Sequence, residues 1–310
     1  MRYVFFINPT AGKGKAQETL IPAIHNYFEE TSLEYKVIVT ENEGDAERIA
    51  RSESEKGDDV TLFSCGGDGT FSEVLNGAYK YPNVRMGSIP CGSGNDFLKT
   101  FGFPEAFKNI KNQVEGKSVP MDIIMVDDVC CMNICSMGMD AVVADNMTDF
   151  KKIPFVSGSA AYKLAIVRCF LRKIGIKVKI TVDDVLMGTF DCLFAVCANG
   201  TTYGGGYKSC PDASPLDGRL EWLVVEKVSR LKIPQFLKLY ERGEHENLPF
   251  VKHGHCSSME IEAETEAPVN IDGEIIHKKK VRVELLRNAV NFVLPRGVYE
   301  KFAPAVAAEK

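Results

Sequence analysis

Along residues 1–119, short apolar runs alternate with longer stretches in which apolar residues recur every three or four positions. Val4–Ile7 is an apolar run that stops at Asn8-Pro9, and Gln17–Glu30 has the spacing of an amphipathic helix. The alternation continues through strand patterns at Tyr35–Val39, Val60–Ser64 and Met86–Ile89, with helical patterns at Asp45–Lys56 and Phe71–Tyr79 between and after them. Repetition of this kind predicts a doubly wound α/β domain, a parallel sheet with helices on both faces. Ligands in that class sit at the C-terminal ends of the strands. After Val119 the pattern changes to short alternating runs at Ile123–Val126, Ile176–Val182, Phe190–Ala198, Leu220–Val225, Met259–Glu264, Val269–Ile271 and Val281–Leu285. These predict an antiparallel, β-rich second domain, interrupted by helical patterns at Ser159–Lys173 and Leu231–Arg242. The last run, Asn291–Leu294, could rejoin the first sheet. The expected division is therefore 1–119 with 291–310, and 120–290.

Length agrees: 310 residues make two domains of roughly 150. With 45% hydrophobic and 25% charged residues the chain is of globular composition. A net charge of −5 argues against a nucleic-acid partner, which calls for a broad basic field. The charge is uneven, however. Residues 151–180 hold Lys151, Lys152, Lys163, Arg168, Arg172, Lys173, Lys177 and Lys179 and no acid. Most of the ten cysteines sit in apolar runs (Cys65, Cys130, Cys131, Cys192, Cys197) and no C-x-x-C occurs, so they read as reduced, buried thiols. The run Tyr3–Ile7 is shorter than the roughly 7–15 residues of a secretory signal core. No apolar stretch reaches the roughly 18 residues of a membrane span. These features together read as a cytoplasmic protein.

Three glycine-rich loops follow three strands of the first domain: Asn8-Pro9-Thr10-Ala11-Gly12-Lys13-Gly14-Lys15, Gly66-Gly67-Asp68-Gly69-Thr70, and Gly92-Ser93-Gly94-Asn95-Asp96. Glycine lets the backbone approach a ligand closely, and amides at a helix N-terminus attract anions. Thr70 followed by Glu73 has the form of a capping box, which places the helix start at Thr70. None of the loops is a Walker A, because neither Gly12-Lys13 nor Gly14-Lys15 is followed by Ser or Thr. Any one such loop reads first as a turn; three after successive strands of one sheet read as a phosphate site. Asp68 is the odd member. A carboxylate repels phosphate unless a cation such as Mg²⁺ lies between them, the alternative being that it supports a turn. Asp272-Gly273 and Asp217-Gly218 read locally as turns.

Together these loops resemble the diacylglycerol kinase catalytic domain. The whole chain is similar to soluble bacterial lipid kinases of the diacylglycerol/sphingosine kinase superfamily, through Gly204-Gly205-Gly206, Pro211-x-Ala213, Asp217-Gly218-x-Leu220 and Asp272-Gly273-Glu274. The resemblance implies an NAD-kinase-like first domain and a β-sandwich second domain. It also implies transfer of the ATP γ-phosphate to a lipid hydroxyl, diacylglycerol giving phosphatidic acid as a step of phospholipid biosynthesis. ATP contacts would fall on Asn8, Pro9, Thr10, Ala11, Gly12, Thr40, Gly66, Gly67, Asp68, Gly69, Thr70, Ser72 and Ser93, where the family usually has Thr at the last position. Asp272 would be the catalytic base, with Glu274 the second candidate, and Asp68 and Asp122 would belong to a magnesium–water network. A structural Mg²⁺ would take the Asp217 side chain and the carbonyls of Ser214 and Arg219.

Two other readings compete. A NAD kinase shares Gly-Gly-Asp-Gly-Thr, but a Gly-Thr-Pro-Thr-Gly-Ser-Thr-type segment is missing from this sequence. A catalytically silent lipid- or nucleotide-binding regulator would have lost one of Asp68, Asp217 or Asp272. For partners, the basic stretch 151–180 suggests peripheral contact with an anionic membrane surface, with Lys278-Lys279-Lys280 as a second basic cluster. An exposed edge strand in the second domain could pair two chains as a homodimer.

Overall fold

The computed structural model describes residues 1–92, 94–102, 104–143 and 175–302. They form two compact units, Met1–Ile123 with the chain from Leu286 onward, and Ile124–Leu285. The unit boundaries fall inside two strands, Lys117–Val126 and Glu274–Leu294, rather than in loops. Both strands read as shorter segments in the sequence.

In the first unit, β1 (Arg2–Ile7), β2 (Glu34–Val39), β3 (Val60–Gly66) and β4 (Val84–Pro90) are all parallel, in the order β2-β1-β3-β4. Residues Asn291 and Phe292 of the last strand add to β4, also parallel. Phe5 and Ile7 pack with Ile24 and Phe28 of α1 (Ala16–Glu29), while the alternate residues Val4, Phe6 and Leu62 are equally buried. A strand buried at both alternations is covered on both faces. The helices α2 (Asp45–Ser54) and α3 (Asp68–Ala78) pack on each other and on β3. The short helices α4 (Asp96–Lys99) and α5 (Ile110–Val114) follow β4.

A buried ion cluster ties this sheet to α2. Glu53, 3% exposed, faces Arg2 of β1, Lys36 of β2 (2.9 Å) and Lys56. Burial alone pushes its carboxyl up, but Lys56, Lys36 and Arg2 together outweigh that and bring it to about 2.

The strand β5 (Lys117–Val126) leads into the second unit, where it pairs with β6 (Val129–Cys131). The others are β7 (Ile134–Gly138), β8 (Ile176–Val182), β9 (Val185–Ala198), β10 (Leu220–Glu226), β11 (Val251–Cys256), β12 (Ser258–Ile271) and β13 (Glu274–Leu294). Among the described residues, the pairings β5–β6, β7–β9, β7–β12, β8–β9, β8–β12, β9–β10, β10–β11 and β12–β13 are antiparallel. β9 and β12 each change partners along their length. Their outer halves pair with β8 and their inner halves with β7, so the sheet folds over a shared interior as a sandwich does. β12 absorbs what the sequence shows as two runs through an irregularity between Glu262 and Ala267.

On the second unit's other face lies α6 (Ile233–Arg242), preceded by a 3₁₀ turn at Arg230–Lys232. It buries Ile233, Phe236 and Tyr240 against Phe194 and Val225. The nine described cysteines are all free thiols; eight are buried and Cys91 is half-buried. The helix expected at Ser159–Lys173 lies outside the described residues. Among the described residues, no helix is long and apolar enough to cross a membrane.

Candidate active site

Because β1, β3 and β4 are neighbours, their C-terminal loops lie side by side, and hydrogen bonds knit them together. Asn8 Nδ2 donates to Thr70 Oγ1 (3.1 Å), and Asn8 Oδ1 accepts from the amide and hydroxyl of Thr10 (2.9 and 2.8 Å). The Gly12 amide donates to the Cys91 carbonyl (2.8 Å), and the Cys91 and Gly92 amides donate to the Gly66 carbonyl (2.9 and 3.1 Å). At the end of β2, the Thr40 amide donates to the Ile7 carbonyl (3.0 Å). Contact between the second and third loops is backbone to backbone: a Cβ on Gly92 would stand 2.6 Å from the Gly67 Cα. Only glycine permits that approach.

The helix α3 starts at Asp68 with Gly67 as its N-cap and no side-chain cap, two residues earlier than the capping-box pattern predicts. Tertiary partners outcompete the local pair. Thr70 Oγ1 is taken by Asn8, and Glu73 Oε2 instead accepts the Ala46 amide in the first turn of α2 (3.0 Å). The amides of Asp68, Gly69 and Thr70 consequently have no acceptor among the described residues. They open at the positive end of an eleven-residue helix. Ser72, 8% exposed, lies one turn further in. Ser93 lies outside the described residues.

Both oxygens of Asp68 face the third loop. Oδ2 accepts from the Asn95 amide (2.7 Å) and Oδ1 from the Asp96 amide (3.0 Å). A Cβ on Gly94 would fall 2.5 Å from Oδ2, so the loop closes directly over the carboxylate. Burial, reinforced by Asp96, raises this carboxyl to about 6 against the pull of the two amides. As the chain folds, Asp68 is an anchor for the third loop. Asn95, which the sequence reading passed over, completes the loop. It adopts φ 53° and donates from Nδ2 to the Gly92 carbonyl (2.9 Å). Its placement right after Gly94 in a loop that must reverse is the signal that could have found it.

A cavity of about 490 Å³ opens beside these loops within the first unit, lined by Gly12, Cys91, Gly92, Gly94 and Asn95, with Lys15, Lys99 and Lys108 at its wall. Asp122, 3% exposed on β5, accepts the Asn288 amide (2.7 Å) and holds the turn where φ of Asn288 is 50°.

In the second unit, Asp272 and Gly273 are the two central residues of the β12–β13 hairpin. Both have positive φ (48° and 100°), as a type I′ turn requires. The Asp272 carboxylate turns back onto three consecutive amides: Met132 (2.8 Å to Oδ2), Asn133 (3.2 Å to each oxygen) and Ile134 (2.8 Å to Oδ1). Two asparagines brace that segment. Asn199 Nδ2 donates to the Met132 carbonyl (2.8 Å) and Asn133 Nδ2 to the Thr202 carbonyl (2.9 Å). Asn133 interrupts an apolar run and Asn199 ends one, which is the sequence signal that could have marked them; both are buried. Glu274, two residues on, is exposed.

Asp217 accepts from the Arg219 amide (3.1 Å) and guanidinium (3.3 Å), and Ser214 Oγ accepts the Leu216 amide (3.3 Å). These three residues form a turn in which a guanidinium already faces the carboxylate. Among the described residues, no group of three or more His, Cys, Asp or Glu could hold a metal ion. Of the basic stretch, Lys177 and Lys179 are described; they pair with Glu264 (2.9 Å) and Glu262 (3.9 Å). Lys278 and Lys280 pair with Asp127 (2.6 Å) and Glu260 (2.8 Å). Four cations of the two basic clusters therefore face carboxylates.

Residues 2–126 match the diacylglycerol kinase catalytic domain, and residues 133–294 match the YegS C-terminal NAD kinase beta sandwich-like domain. The chain belongs to the diacylglycerol kinase family of lipid kinases. A diacylglycerol kinase of Staphylococcus saprophyticus is 30% identical over 86% of this chain and 87% of its own length. One from Staphylococcus haemolyticus is 27% identical over 95% and 88%. Among solved structures, a Bacillus anthracis protein described as a candidate diacylglycerol kinase superposes with a TM-score of 0.77 at 23% identity, covering 96% of this chain and 98% of that one. An Archaeoglobus fulgidus NAD kinase in complex with ATP gives 0.51 at 14% identity, covering 99% of each. For both structures the likeness is one of fold.

Proposed function

We propose that this lipid kinase transfers the γ-phosphate of ATP to the hydroxyl of diacylglycerol, giving phosphatidic acid. The observation that carries the reading is the row of amides at Asp68, Gly69 and Thr70, open at the N-terminus of α3 and framed by two further glycine loops. Backbone amides and the helix dipole supply what a polyphosphate needs. Lys15 adds positive charge in the adjoining cavity, where Lys99 and Lys108 pair with Asp96 and Glu105. Asn8 to Gly12, Thr40, Gly66 to Ser72 and Ser93 are the proposed nucleotide contacts.

Phosphoryl transfer is mostly positioning and charge stabilisation. The lipid hydroxyl oxygen forms a bond to the γ-phosphorus, the bond to the β-bridging oxygen breaks with its electron pair leaving on ADP, and the hydroxyl proton passes to a carboxylate. In this reading Asp272 is that carboxylate, with Glu274 as the second candidate. Three amides donate to the Asp272 carboxylate and fix its position, and any carboxylate is a weak base. A weak base suffices when departure of ADP runs well ahead of proton transfer. Asp68 and Asp122 would belong to a magnesium–water network, and the Asp217 side chain with the carbonyls of Ser214 and Arg219 would take a second Mg²⁺.

The test is a radiolabelled-ATP assay against diacylglycerol, sphingosine, phosphatidylglycerol and NAD in parallel. Label in diacylglycerol is the expected result. Label in NAD alone would make the chain a NAD kinase, and label in none of the four would leave a silent binder.

A further inference from the structure

Lipid kinases meet their acceptor at a bilayer, so one surface should carry exposed apolar and cationic side chains together. The most exposed large apolar side chain among the described residues is Leu231, at 91%, in the 3₁₀ turn that leads into α6. It is flanked by Arg230 and Lys232. The helix behind it has two clear faces. Ile233, Phe236 and Tyr240 are buried, while Gln235, Lys238 and Arg242 point to solvent. Residues 230–242 thus contain four cations and a single acid, Glu241.

Most lysines of the second unit are matched, Lys208 and Lys279 being exceptions among the described residues outside this segment. Elsewhere in the second unit, Lys177, Lys179, Lys227, Lys252, Lys278 and Lys280 each face a carboxylate. Lys232, Lys238 and Arg242 make no ion pair with a described residue. Cations left unmatched beside an exposed leucine fit a surface that is negative and has an apolar layer beneath. An acidic protein would satisfy the charges but gives no role to a lone leucine standing clear of its own fold. The exposed apolar tip of the β8–β9 hairpin, Val185 to Met187, is a weaker candidate, because Asp183 and Asp184 at its turn would be driven toward the headgroups.

We infer that Arg230 to Arg242 is the docking surface for an anionic lipid bilayer, with Leu231 entering the interfacial layer and Lys232, Lys238 and Arg242 lying against headgroup phosphates. A basic residue near an anionic leaflet typically adds enough attraction for about a fivefold gain in binding. The inference rests on the lipid-kinase reading only for where the acceptor resides, and its test needs no turnover.

Sedimentation with vesicles of phosphatidylglycerol and phosphatidylcholine, without ATP and at low salt, should show binding that pure phosphatidylcholine does not match. Lys232→Ala and Lys238→Ala should each weaken it about fivefold, and Leu231→Ser several-fold, with melting unchanged. Activity on a water-soluble short-chain diacylglycerol should stay at the wild-type level in all three, since none belongs to the catalytic machinery. The inference is overturned if the wild type ignores anionic vesicles, if it binds neutral ones equally well, or if the Lys232→Ala/Lys238→Ala double variant binds within twofold of wild type. Failure of all acceptors to be phosphorylated, with vesicle binding intact, would sink the kinase reading and leave the docking surface standing.

Discussion

Two stretches of backbone in this molecule present consecutive amides, and they are used in opposite ways. At the start of α3, the amides of Asp68, Gly69 and Thr70 find no acceptor among the described residues. At Met132 to Ile134, the chain supplies its own anion, the carboxylate of Asp272. The chemistry is the same, oriented N–H dipoles around negative charge. The first arrangement leaves its helix-end donors to solvent until a ligand arrives. The second stabilises the apo fold and fixes a carboxylate in place. In the proposed reading the first is a substrate-binding surface and the second a rigidly held acid–base group, which need opposite solutions.

The largest expected effect comes from breaking the filled site. Asp272→Asn should lower the phosphoryl-transfer rate by about 10²–10⁴ if the carboxylate is the base. It should also lower the melting temperature, because an Nδ2 group would replace one acceptor facing amides that need one, at a cost of about 1–3 kcal/mol. Retention of more than a tenth of the rate would remove Asp272 as base. Glu274→Gln is the control: it should leave melting unchanged, and a rate loss larger than that of Asp272→Asn would move the base to Glu274.

Next in size is damage to the open site. Gly92→Ala forces the third loop away from Gly67, and overpacking of this kind costs about 1–3 kcal/mol. ATP affinity measured by calorimetry should fall at least about tenfold, given that 1.4 kcal/mol corresponds to a factor of ten. Binding of the lipid acceptor should not change, which separates the two regions.

A smaller effect sharpens the contrast between Asp68 and the other carboxylates. Its folded value of about 6 lies above the ordinary 3.8, because burial and then Asp96 favour the neutral form. The folded protein therefore holds more protons than the unfolded chain between those values. The associated stabilisation is complete below 3.8 and is lost as pH rises through 6. Asp68→Asn should make the slope of stability against pH more positive across that window, read by denaturant titration at several pH values. An unchanged slope would mean that Asp68 titrates normally. Glu53 has the opposite sign. Its carboxyl lies at about 2, so Glu53→Gln should lower stability above pH 4.5 and should narrow the gap from wild type as pH falls through about 2.

The difference between the two amide sites also explains what was legible in the sequence. The first unit's sheet follows from apolar runs separated by helical periodicity, and its loops from glycines at strand ends. Both are local signals. The start of α3 was misread by two residues because Thr70 and Glu73, locally a capping pair, find better partners in Asn8 and Ala46 across the fold. Asp272 read as a turn residue, and it is one, but its contact with residues 132–134 joins positions 140 apart that no local pattern links. For the same reason, the acids that face Lys177, Lys179, Lys278 and Lys280, distant in sequence, are not visible in the basic clusters alone. β12 reads as two runs because Thr265-Glu266 interrupts its apolar alternation, and an irregularity between Glu262 and Ala267 keeps both halves on β13.

The central claim is that the open amides of α3 receive the phosphates of ATP while the filled ones do not change. Amide hydrogen exchange with and without ATP tests it most directly. Exchange in the segment Gly66–Ser72 should slow at least about tenfold at saturating nucleotide, with exchange at Met132–Ile134 unaltered. Protection at Met132–Ile134 without protection at Gly66–Ser72, or at neither, would contradict the account.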